Sequence, residues 1–197
     1  MLSKRKAFYV LLILIADVST KAFTENINCA NVRRTDIGLS IQWYPAGVIP
    51  TLNSELFTGN KSSMIFRLGG NFANRRDYSP YNDNEKGGGF GGTLGYRWHF
   101  NRKYGCFIAG FNTDIWNTWI NWKNNIEQLN QTQGRTYTLV IQPWIEAGYF
   151  VNIIKSPFQI GLSTGFGREL NIITKGKAVG QGWINSVSIH FQYSFIN

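Results

Sequence analysis

The sequence lacks any long hydrophobic run and carries little charge for its length. No apolar stretch approaches the roughly 18–20 consecutive residues that a membrane-spanning helix needs, which excludes a helical membrane protein. Charged residues are 16% of the 197 residues, against about 25% in an average domain, whereas aromatic residues reach 15%. Because disordered chains are poor in aromatic residues and rich in charge, the composition also excludes disorder.

Cysteine is nearly absent as well. The two cysteines, Cys29 and Cys106, are too few for a disulfide scaffold, and the chain has the length of one domain. In an oxidising compartment these thiols either pair or stay separate, and the sequence leaves both options open. Glycine is abundant, with 21 residues, and the formal net charge is +9.

The N-terminus has the pattern of an export signal. Basic residues precede an apolar run at 7–16, and small residues near Ala22 offer a cleavage site. A buried N-terminal helix is the alternative. Removing residues 1–22 removes four basic residues and one acidic residue, which lowers the formal charge from +9 to +6. The predicted organisation is a signal peptide at 1–22, a periplasmic segment at 23–34 and a β-barrel at 35–197.

After Thr35 the chain alternates between apolar residues and small or polar ones, which predicts β-strands with two unlike faces. The alternation keeps mean hydropathy at −0.19 although 43% of the residues are hydrophobic. A weaker segment lies at 49–57, where Pro50 predicts an edge strand or a strand end. The seven clear segments are 37–44, 64–75, 93–100, 107–115, 139–149, 160–169 and 187–195.

The connections between these segments alternate in length. Barrels of the outer membrane have short periplasmic turns and longer external loops. Eight strands would place both ends of the domain on the short-turn side. The pattern therefore predicts an all-β fold, an eight-stranded antiparallel up-and-down transmembrane β-barrel. Its short turns are expected at 58–62, 101–105 and 152–157, and its long loops at 74–88, 123–134 and 171–182.

Three features indicate that the apolar face points towards lipid. The opposite face holds small and neutral polar residues, which suit the narrow interior of an eight-stranded barrel. The apolar face has almost no charge at mid-strand, where Arg or Lys facing lipid costs about 2–4 kcal/mol. Aromatic residues gather near the strand ends as two girdles. A secreted, soluble, lipocalin-like ligand carrier is the alternative. The girdles are predicted at Phe57, Trp98, Phe100, Tyr104, Tyr149, Tyr193 and Phe195, and at Trp43, Tyr44, Trp119, Trp122 and Trp183.

The segment Val187-x-Ile189-x-Phe191-x-Tyr193-x-Phe195 resembles the C-terminal strand signal of small outer-membrane β-barrel proteins of Gram-negative bacteria, the OmpA-like and OmpX-like group. Ile196 and Asn197 follow the last aromatic residue, where that group ends on the aromatic. The segment 87–100 also looks like a strand from such proteins. The resemblance implies an outer-membrane location and assembly by the outer-membrane barrel assembly machinery, with Phe191, Tyr193 and Phe195 as the signal. It implies no activity, because this fold hosts adhesins, inert barrels, small pores and lipid-modifying enzymes.

Polar residues on the inward face are expected to pair across the lumen, since unpaired charge is costly at low dielectric. A salt-bridged plug is the main interpretation and a conducting pore the alternative. The predicted lumen network is Arg67, Arg97, His99, Asp114, Gln142, Glu146, Glu169 and His190.

No enzymatic chemistry is predicted. The lipid A deacylase barrels use a His and a Ser two residues apart on one strand, whereas here Asn101 lies two residues after His99 and Gln192 lies two residues after His190. The glycine-rich run at 87–92 precedes a strand instead of opening a helix, so a dinucleotide site is discarded. Asp77, Asp83 and Glu85 match no standard calcium loop. No catalytic residue, cofactor or metal site is therefore assigned.

The strands on either side of residues 117–137 look longer than a membrane crossing requires. Their excess is expected to project as a hairpin that carries Trp119, Trp122 and Tyr137. These aromatics form a possible extracellular binding surface, with interface anchoring as the alternative. The predicted function is a structural or surface-binding outer-membrane barrel with a plugged lumen. Its expected partners are membrane lipid, the assembly machinery and an extracellular ligand, without nucleic acid. A lipid-modifying enzyme is the second alternative.

Overall fold

The computed structural model describes residues 34–76, 79, 81–102, 105–126, 129–153 and 156–196. The predicted signal peptide at 1–22 and the segment 23–33 lie outside the described residues, as do Cys29 and Tyr104. Within the described ranges, no helix has the length and apolar character needed to cross a membrane.

Antiparallel β-strands make up the fold, and they pair in chain order. The first strand also pairs with the last, as at Ile37 opposite Tyr193, and the fifth pairs with the sixth, as at Ile115 opposite Ile141. The sheet therefore closes on itself as a barrel. The strands are β1 (Arg34–Tyr44), β2 (Gly47–Gly59), β3 (Ser62–Arg76), β4 (Asn84–Arg102), β5 (Gly105–Asn124), β6 (Thr132–Asn152), β7 (Phe158–Arg168), β8 (Leu170–Lys175) and β9 (Trp183–Ile196).

Nine strands make eight positions in the wall, because β7 and β8 share one. Both pair with β6, and Glu169 interrupts them. The N–H of Glu169 donates to the carbonyl oxygen of Gly182, at 2.8 Å, instead of joining a strand ladder. β7 also pairs with β9, whereas the sheet places β8 beside β6 alone. The predicted eight-stranded antiparallel barrel is thus confirmed, with its seventh strand split in two.

Pro50 lies inside the barrel wall, although the sequence predicted an edge strand or a strand end. It is opposite Ile41 in β1, and the pairing of β2 with β3 skips from Val48 to Thr51. Because proline has no N–H to donate, a strand can hold it where one ladder is interrupted. The prediction about the position of Pro50 was therefore wrong, since β2 has neighbours on both sides.

The two faces of the wall differ as the alternation predicted. Leu39 and Leu68 on the outer face are 60% and 69% exposed, whereas Asn53 and Arg67 on the inner face are 3% exposed. The inner face carries most of the buried polar side chains. Three described residues assigned to the girdles point inward instead. They are Tyr44, which is buried, Phe57, whose ring lies 4.9 Å from that of His99, and Trp122, which packs beside Val179.

The wall has unequal height. β4, β5 and β6 have 19, 20 and 21 residues, whereas β1, β2 and β9 have 11, 13 and 14. The predicted long loops at 74–88, 123–134 and 171–182 are partly strand, and the connections that remain between strands are 77–83, 125–131 and 176–182. Polar, glycine-rich sequence had suggested loop at these places. We call this side the loop end and the opposite side the short-turn end.

Candidate functional site: the polar interior and the loop end

Glu146 on β6 is the centre of the buried polar network. Its side chain is fully shielded, and it lies between two arginines that come from the opposite wall. Each carboxylate oxygen accepts several hydrogen bonds, which offsets the cost of burying the charge. Its donors are Arg67 Nη2 at 3.1 Å to both oxygens, Arg97 Nη2 at 2.9 Å, Ser163 Oγ at 2.8 Å and Asn112 Nδ2 at 3.3 Å.

A second carboxylate, Glu55 on β2, extends this network towards the short-turn end. Arg97 Nη1 donates to Glu55 Oε2 at 2.6 Å, so Arg97 bridges Glu55 and Glu146. Ser63 Oγ donates to Glu55 Oε1 at 2.5 Å and lies 2.9 Å from His99 Nε2. Further towards that end, Arg34 and Asp36 pair through two contacts of 2.6 Å.

Asp114 on β5 organises the next level, on the loop side of Glu146. It accepts hydrogen bonds from the indole N–H of Trp144 at 2.8 Å, from the side-chain amide Nε2 of Gln142 at 3.2 Å and from the indole N–H of Trp116 at 3.4 Å. Beyond it lies a small apolar layer inside the barrel. The layer consists of Tyr44, Ile49, Trp116, Val140 and Ile184.

Glycine on β4 makes room for this layer. A Cβ atom on Gly91 would lie 2.7 Å from Cε3 of Trp116 and 2.0 Å from the carbonyl oxygen of Ile115. Both distances are shorter than a real side chain allows, and one partner is backbone that cannot turn aside. The glycine-rich run at 87–92 therefore has a packing role in β4, as its position before a strand had indicated.

At the loop end, Arg75 on β3 joins three segments. Its Nη2 donates to Glu169 at 2.5 and 2.7 Å, and its Nη1 lies 3.6 Å from Glu85 Oε2. Nη1 also donates to the carbonyl oxygen of Gly180. Glu85 in turn accepts from the N–H of Gly180 at 3.0 Å. One arginine and one glutamate thus hold both polar groups of the Gly180 backbone.

The connection 176–182 consequently folds over the barrel mouth. Its Val179 is 2% exposed and packs against Ala73 and Ile120. Asn82 Nδ2 donates to the carbonyl oxygen of Ala178 at 2.9 Å, which fixes the segment from another side. The loop end of the interior is therefore covered by a segment of backbone, whereas the centre is filled by side chains of the strands.

Little empty space remains in the interior. A cavity of about 10 Å³ lies between Glu55, Arg97, His99 and Cys106. That volume is about enough for one water molecule. The thiol of Cys106 lies 3.6 Å from Nδ1 of His99 at the edge of this cavity.

All eight residues of the predicted lumen network are buried in the structure. Arg67, Arg97 and His190 surround Glu146, and His99 joins them through Glu55. Gln142 belongs to the Asp114 level, and Glu169 belongs to the loop end. Their exposed fractions are 3% for Arg67, 1% for Arg97, 5% for His99, 0% for Asp114, 3% for Gln142, 3% for Glu146, 7% for Glu169 and 0% for His190.

Five charged interior residues are missing from the predicted network, namely Arg34, Asp36, Glu55, Arg75 and Glu85. Glu55 alternates correctly with Asn53, but Pro50 weakened the assignment of that strand. Glu85 was placed in a long loop, and Arg75, the last residue of the predicted segment 64–75, was left out of the network although it continues the alternation from Arg67 on β3. Extending the period-two pattern through 74–88 would have found both, because a strand keeps its inward face at every second residue.

The calcium alternative does not fit the described residues. Glu85 points into the barrel towards Arg75, whereas Asp83 is exposed and accepts the N–H of Asn125 at 2.7 Å. Asp77 lies outside the described residues. Within the described chain, no group of three His, Cys, Asp or Glu side chains is placed to hold a metal ion.

Two groups of serine, histidine and glutamate do meet across strands. Ser163 Oγ lies 2.8 Å from His190 Nε2 and donates to Glu146, and Ser63 is placed in the same way beside His99 and Glu55. The search for His and Ser on one strand could not reveal these neighbours. Each serine hydrogen is directed to a carboxylate and each group is buried, so neither serine is presented to a substrate.

The three aromatics of the predicted hairpin surface do not share one face. Trp119 and Tyr137 lie on the outer face, with ring centres 5.4 Å apart. Trp122 points inward, where it packs beside Val179. The ammonium group of Lys177 lies over its ring, 4.7 Å from the ring centre, as a cation–π contact. The prediction of one shared surface is therefore wrong for Trp122. It lies three positions after Trp119 on the same strand, and residues an odd number of positions apart point to opposite faces.

The proposed assembly residues lie together on the outer face of β9. Phe191, Tyr193 and Phe195 are 54%, 38% and 46% exposed. Tyr193 lies 4.7 Å from Phe195 and 5.1 Å from Phe158 on the neighbouring β7, measured between ring centres.

No protein-family model and no curated protein sequence matches this chain. Among solved structures, the N-terminal β-barrel domain of OprF from Pseudomonas aeruginosa is 13% identical, with a TM-score of 0.42 over 82% of this chain and 98% of that chain. The attachment invasion locus protein Ail of Yersinia pestis is 11% identical, with a TM-score of 0.44 over 82% and 97%. Neisserial surface protein A is 9% identical, with a TM-score of 0.52 over 84% of this chain and 99% of that chain. The likeness to Neisserial surface protein A shows that the two chains share the barrel fold.

Proposed function

We propose that the chain is an integral outer-membrane β-barrel of a Gram-negative bacterium, with a structural or surface-binding role and no enzymatic activity. The observation that carries the proposal is the inverted distribution of polarity. Leu39, Leu68 and Phe90 on the outer face are 60%, 69% and 62% exposed, while six acidic side chains and four arginines are buried in the interior. A barrel that met water on its outside would pay for this arrangement, whereas lipid favours it.

The filled interior supports a structural role over transport. Glu146, Arg67 and Arg97 occupy the centre, and the segment 176–182 covers the loop end. Eight strands leave room for side chains and little more. We therefore expect the lumen to be a plug, with the loop end as the surface available to an extracellular partner.

The alternatives lack support in the described residues. A soluble ligand carrier needs apolar side chains around a cavity, whereas most of the side chains that fill the interior here are polar. A lipid-modifying enzyme needs a nucleophile open to the membrane, whereas Ser63 and Ser163 are 0% and 3% exposed inside the barrel.

Membrane lipid and the barrel assembly machinery are the proposed partners. The alternating aromatics Phe191, Tyr193 and Phe195 form an apolar row on the last strand, and their pairing with β1 completes the barrel. An extended strand with such a row can be recognised before the barrel closes, by pairing with another sheet edge.

The test is electrophoresis of protein extracted from isolated outer membranes, run with and without boiling. A folded barrel resists the detergent at low temperature, so we expect the unboiled sample to migrate differently from the boiled one. Recovery of the chain in the soluble fraction, with one band under both conditions, would refute the membrane barrel.

A further inference from the structure

Charge is segregated between the two faces of the barrel. Six of the seven acidic residues that the structure describes are buried at the interior, and Asp83 is the exception. Four arginines are buried with them, whereas the described lysines and the two other arginines with described side chains, Arg135 and Arg168, lie on the outside or in the connections. The interior acids are Asp36, Glu55, Glu85, Asp114, Glu146 and Glu169.

Three outward cations come together on the tall part of the wall. Lys86 on β4 is opposite Asn121 on β5, and Asn121 is opposite Arg135 on β6. Lys123 follows Asn121 by two residues and so has the same outward face. All three cations are exposed. Neighbouring strands are about 4.8 Å apart, so the three charged groups can reach one ligand. We call Lys86, Lys123 and Arg135 the basic ribbon.

An aromatic row lies directly beneath the basic ribbon on the same face. The ring centre of Trp119 lies 5.7 Å from that of Phe90 and 5.4 Å from that of Tyr137. Trp119 precedes Asn121 by two residues, which is about 6.6 Å along a strand. Aromatic residues of membrane barrels settle at the headgroup level. The basic ribbon therefore lies one step beyond that level, where phosphate groups of lipids are found.

The ribbon also forms a recess whose described lining contains no acid. Lys86, Asn121, Lys123, Gln133 and Arg135 line an open concavity of about 610 Å³. Glu85, next to Lys86, is buried in the barrel interior, and Asp83 Oδ2 accepts the N–H of Asn125. Glu127 lies outside the described residues. Amides and cations are the groups that bind phosphate oxygens, through charge-assisted hydrogen bonds.

We infer that the basic ribbon binds phosphate groups of anionic lipids in the leaflet that surrounds the loop end. The inference rests on the proposed function, because only a barrel in lipid brings the aromatic row and the ribbon to the headgroup level. Each basic residue near an anionic surface contributes about fivefold in affinity, and the attraction weakens as salt rises.

The test uses the full chain, labelled with nitrogen-15 and folded in dodecylphosphocholine micelles. Dodecyl phosphate is the probe, and amide chemical shifts report where it binds. We expect saturable shifts at residues 84–88, 119–123 and 133–137. Inorganic phosphate at equal concentration should give no saturation, because it lacks the chain that holds the probe at the micelle surface.

The triple variant Lys86→Gln, Lys123→Gln and Arg135→Gln should weaken this binding by on the order of a hundredfold. The matched control is Lys61→Gln, Lys103→Gln and Lys155→Gln, which removes the same charge from the sequence between β2 and β3, between β4 and β5 and between β6 and β7. The control should keep the saturable shifts. Lys86→Gln alone should weaken binding by about fivefold.

Equal affinity in the triple variant and its control would overturn the inference, and so would shifts confined to the short-turn end. Equal saturation by inorganic phosphate would overturn the assignment to lipid. Electrophoresis of the same micellar sample, with and without boiling, shows separately whether the barrel is folded. A folded barrel without ribbon shifts refutes the lipid site and leaves the proposed function standing.

Discussion

The central cluster around Glu146 and the loop-end cluster around Arg75 use the same chemistry in different settings. Both pair arginine with glutamate at short distances inside the barrel. Glu146 is surrounded by side chains that all come from strands, and its own side chain is fully buried. Arg75 is connected to Gly180, in a seven-residue segment without strand structure.

This difference indicates two kinds of opening. The central cluster separates only if strands of the wall separate, because its members come from β3, β4, β5, β6, β7 and β9. The loop-end cluster can separate while the wall stays closed, because the segment 176–182 can move into water. Separating the central cluster therefore requires the free energy of global unfolding, whereas separating the loop-end cluster requires only the free energy of a local opening.

Glu146→Gln should have the largest effect. Gln keeps the shape of the side chain but removes the charge that faces Arg67 and Arg97, and breaking a buried pair costs about 3–5 kcal/mol. The free energy of unfolding in micelles, from urea titration, is the measurement. Glu169→Gln, at the loop end, is the matched control and should cost less. An unchanged midpoint for Glu146→Gln would contradict a central role for this carboxylate.

Gly91→Ala tests the apolar layer that separates the two clusters. The added methyl group would overlap the Trp116 ring and the Ile115 carbonyl, and overpacking of this kind costs about 1–3 kcal/mol. The same urea titration measures it. Gly182→Ala is the control, since a Cβ atom there has no neighbour within 4 Å. If both variants unfold at the same urea concentration, the packing argument for Gly91 fails.

Arg75→Gln should have the smallest effect on global stability, about 1 kcal/mol, since water can hydrate the released carboxylates. Its local effect should be larger. The amide hydrogen of Gly180 should exchange with solvent at least tenfold faster, measured by hydrogen exchange, while amides in β5 keep their rates. Arg168→Gln, on the outer face, should leave the Gly180 rate unchanged. A loss of stability as large as that of Glu146→Gln would mean that the two clusters open together.

The sequence was sufficient for most of the barrel because alternation reports burial directly. Each interior residue between Arg67 and His190 that was predicted from period two is buried, since a strand cannot turn one side chain without turning its neighbours. The limits of the strands were harder to predict. Polar, glycine-rich sequence at 84–88 resembles a loop, yet pairing with β3 and β5 keeps it in the sheet.

The arrangement within the interior could not be predicted from one sequence. Ser63 lies beside His99 and Ser163 beside His190 only because of the register between strands that are distant along the chain. Pattern alone also could not show that Glu169 ends β7, since the hydrogen bond to Gly182 replaces a ladder bond there. Inward direction is a local property, whereas partnership depends on the whole barrel.

The pairing of β1 with β9 has a consequence for how the chain folds. Every other strand finds a partner near it in sequence, but β1 pairs with the strand that is made last. Until that contact forms, β1 offers an open row of backbone donors and acceptors that any other strand could join. Pairing of strands so far apart in sequence is slow, because the chain loses conformational entropy before the contacts between β1 and β9 form. A chaperone that keeps β1 solvated until β9 is available would therefore protect this chain from aggregation more than it would protect a sheet in which only sequence neighbours pair.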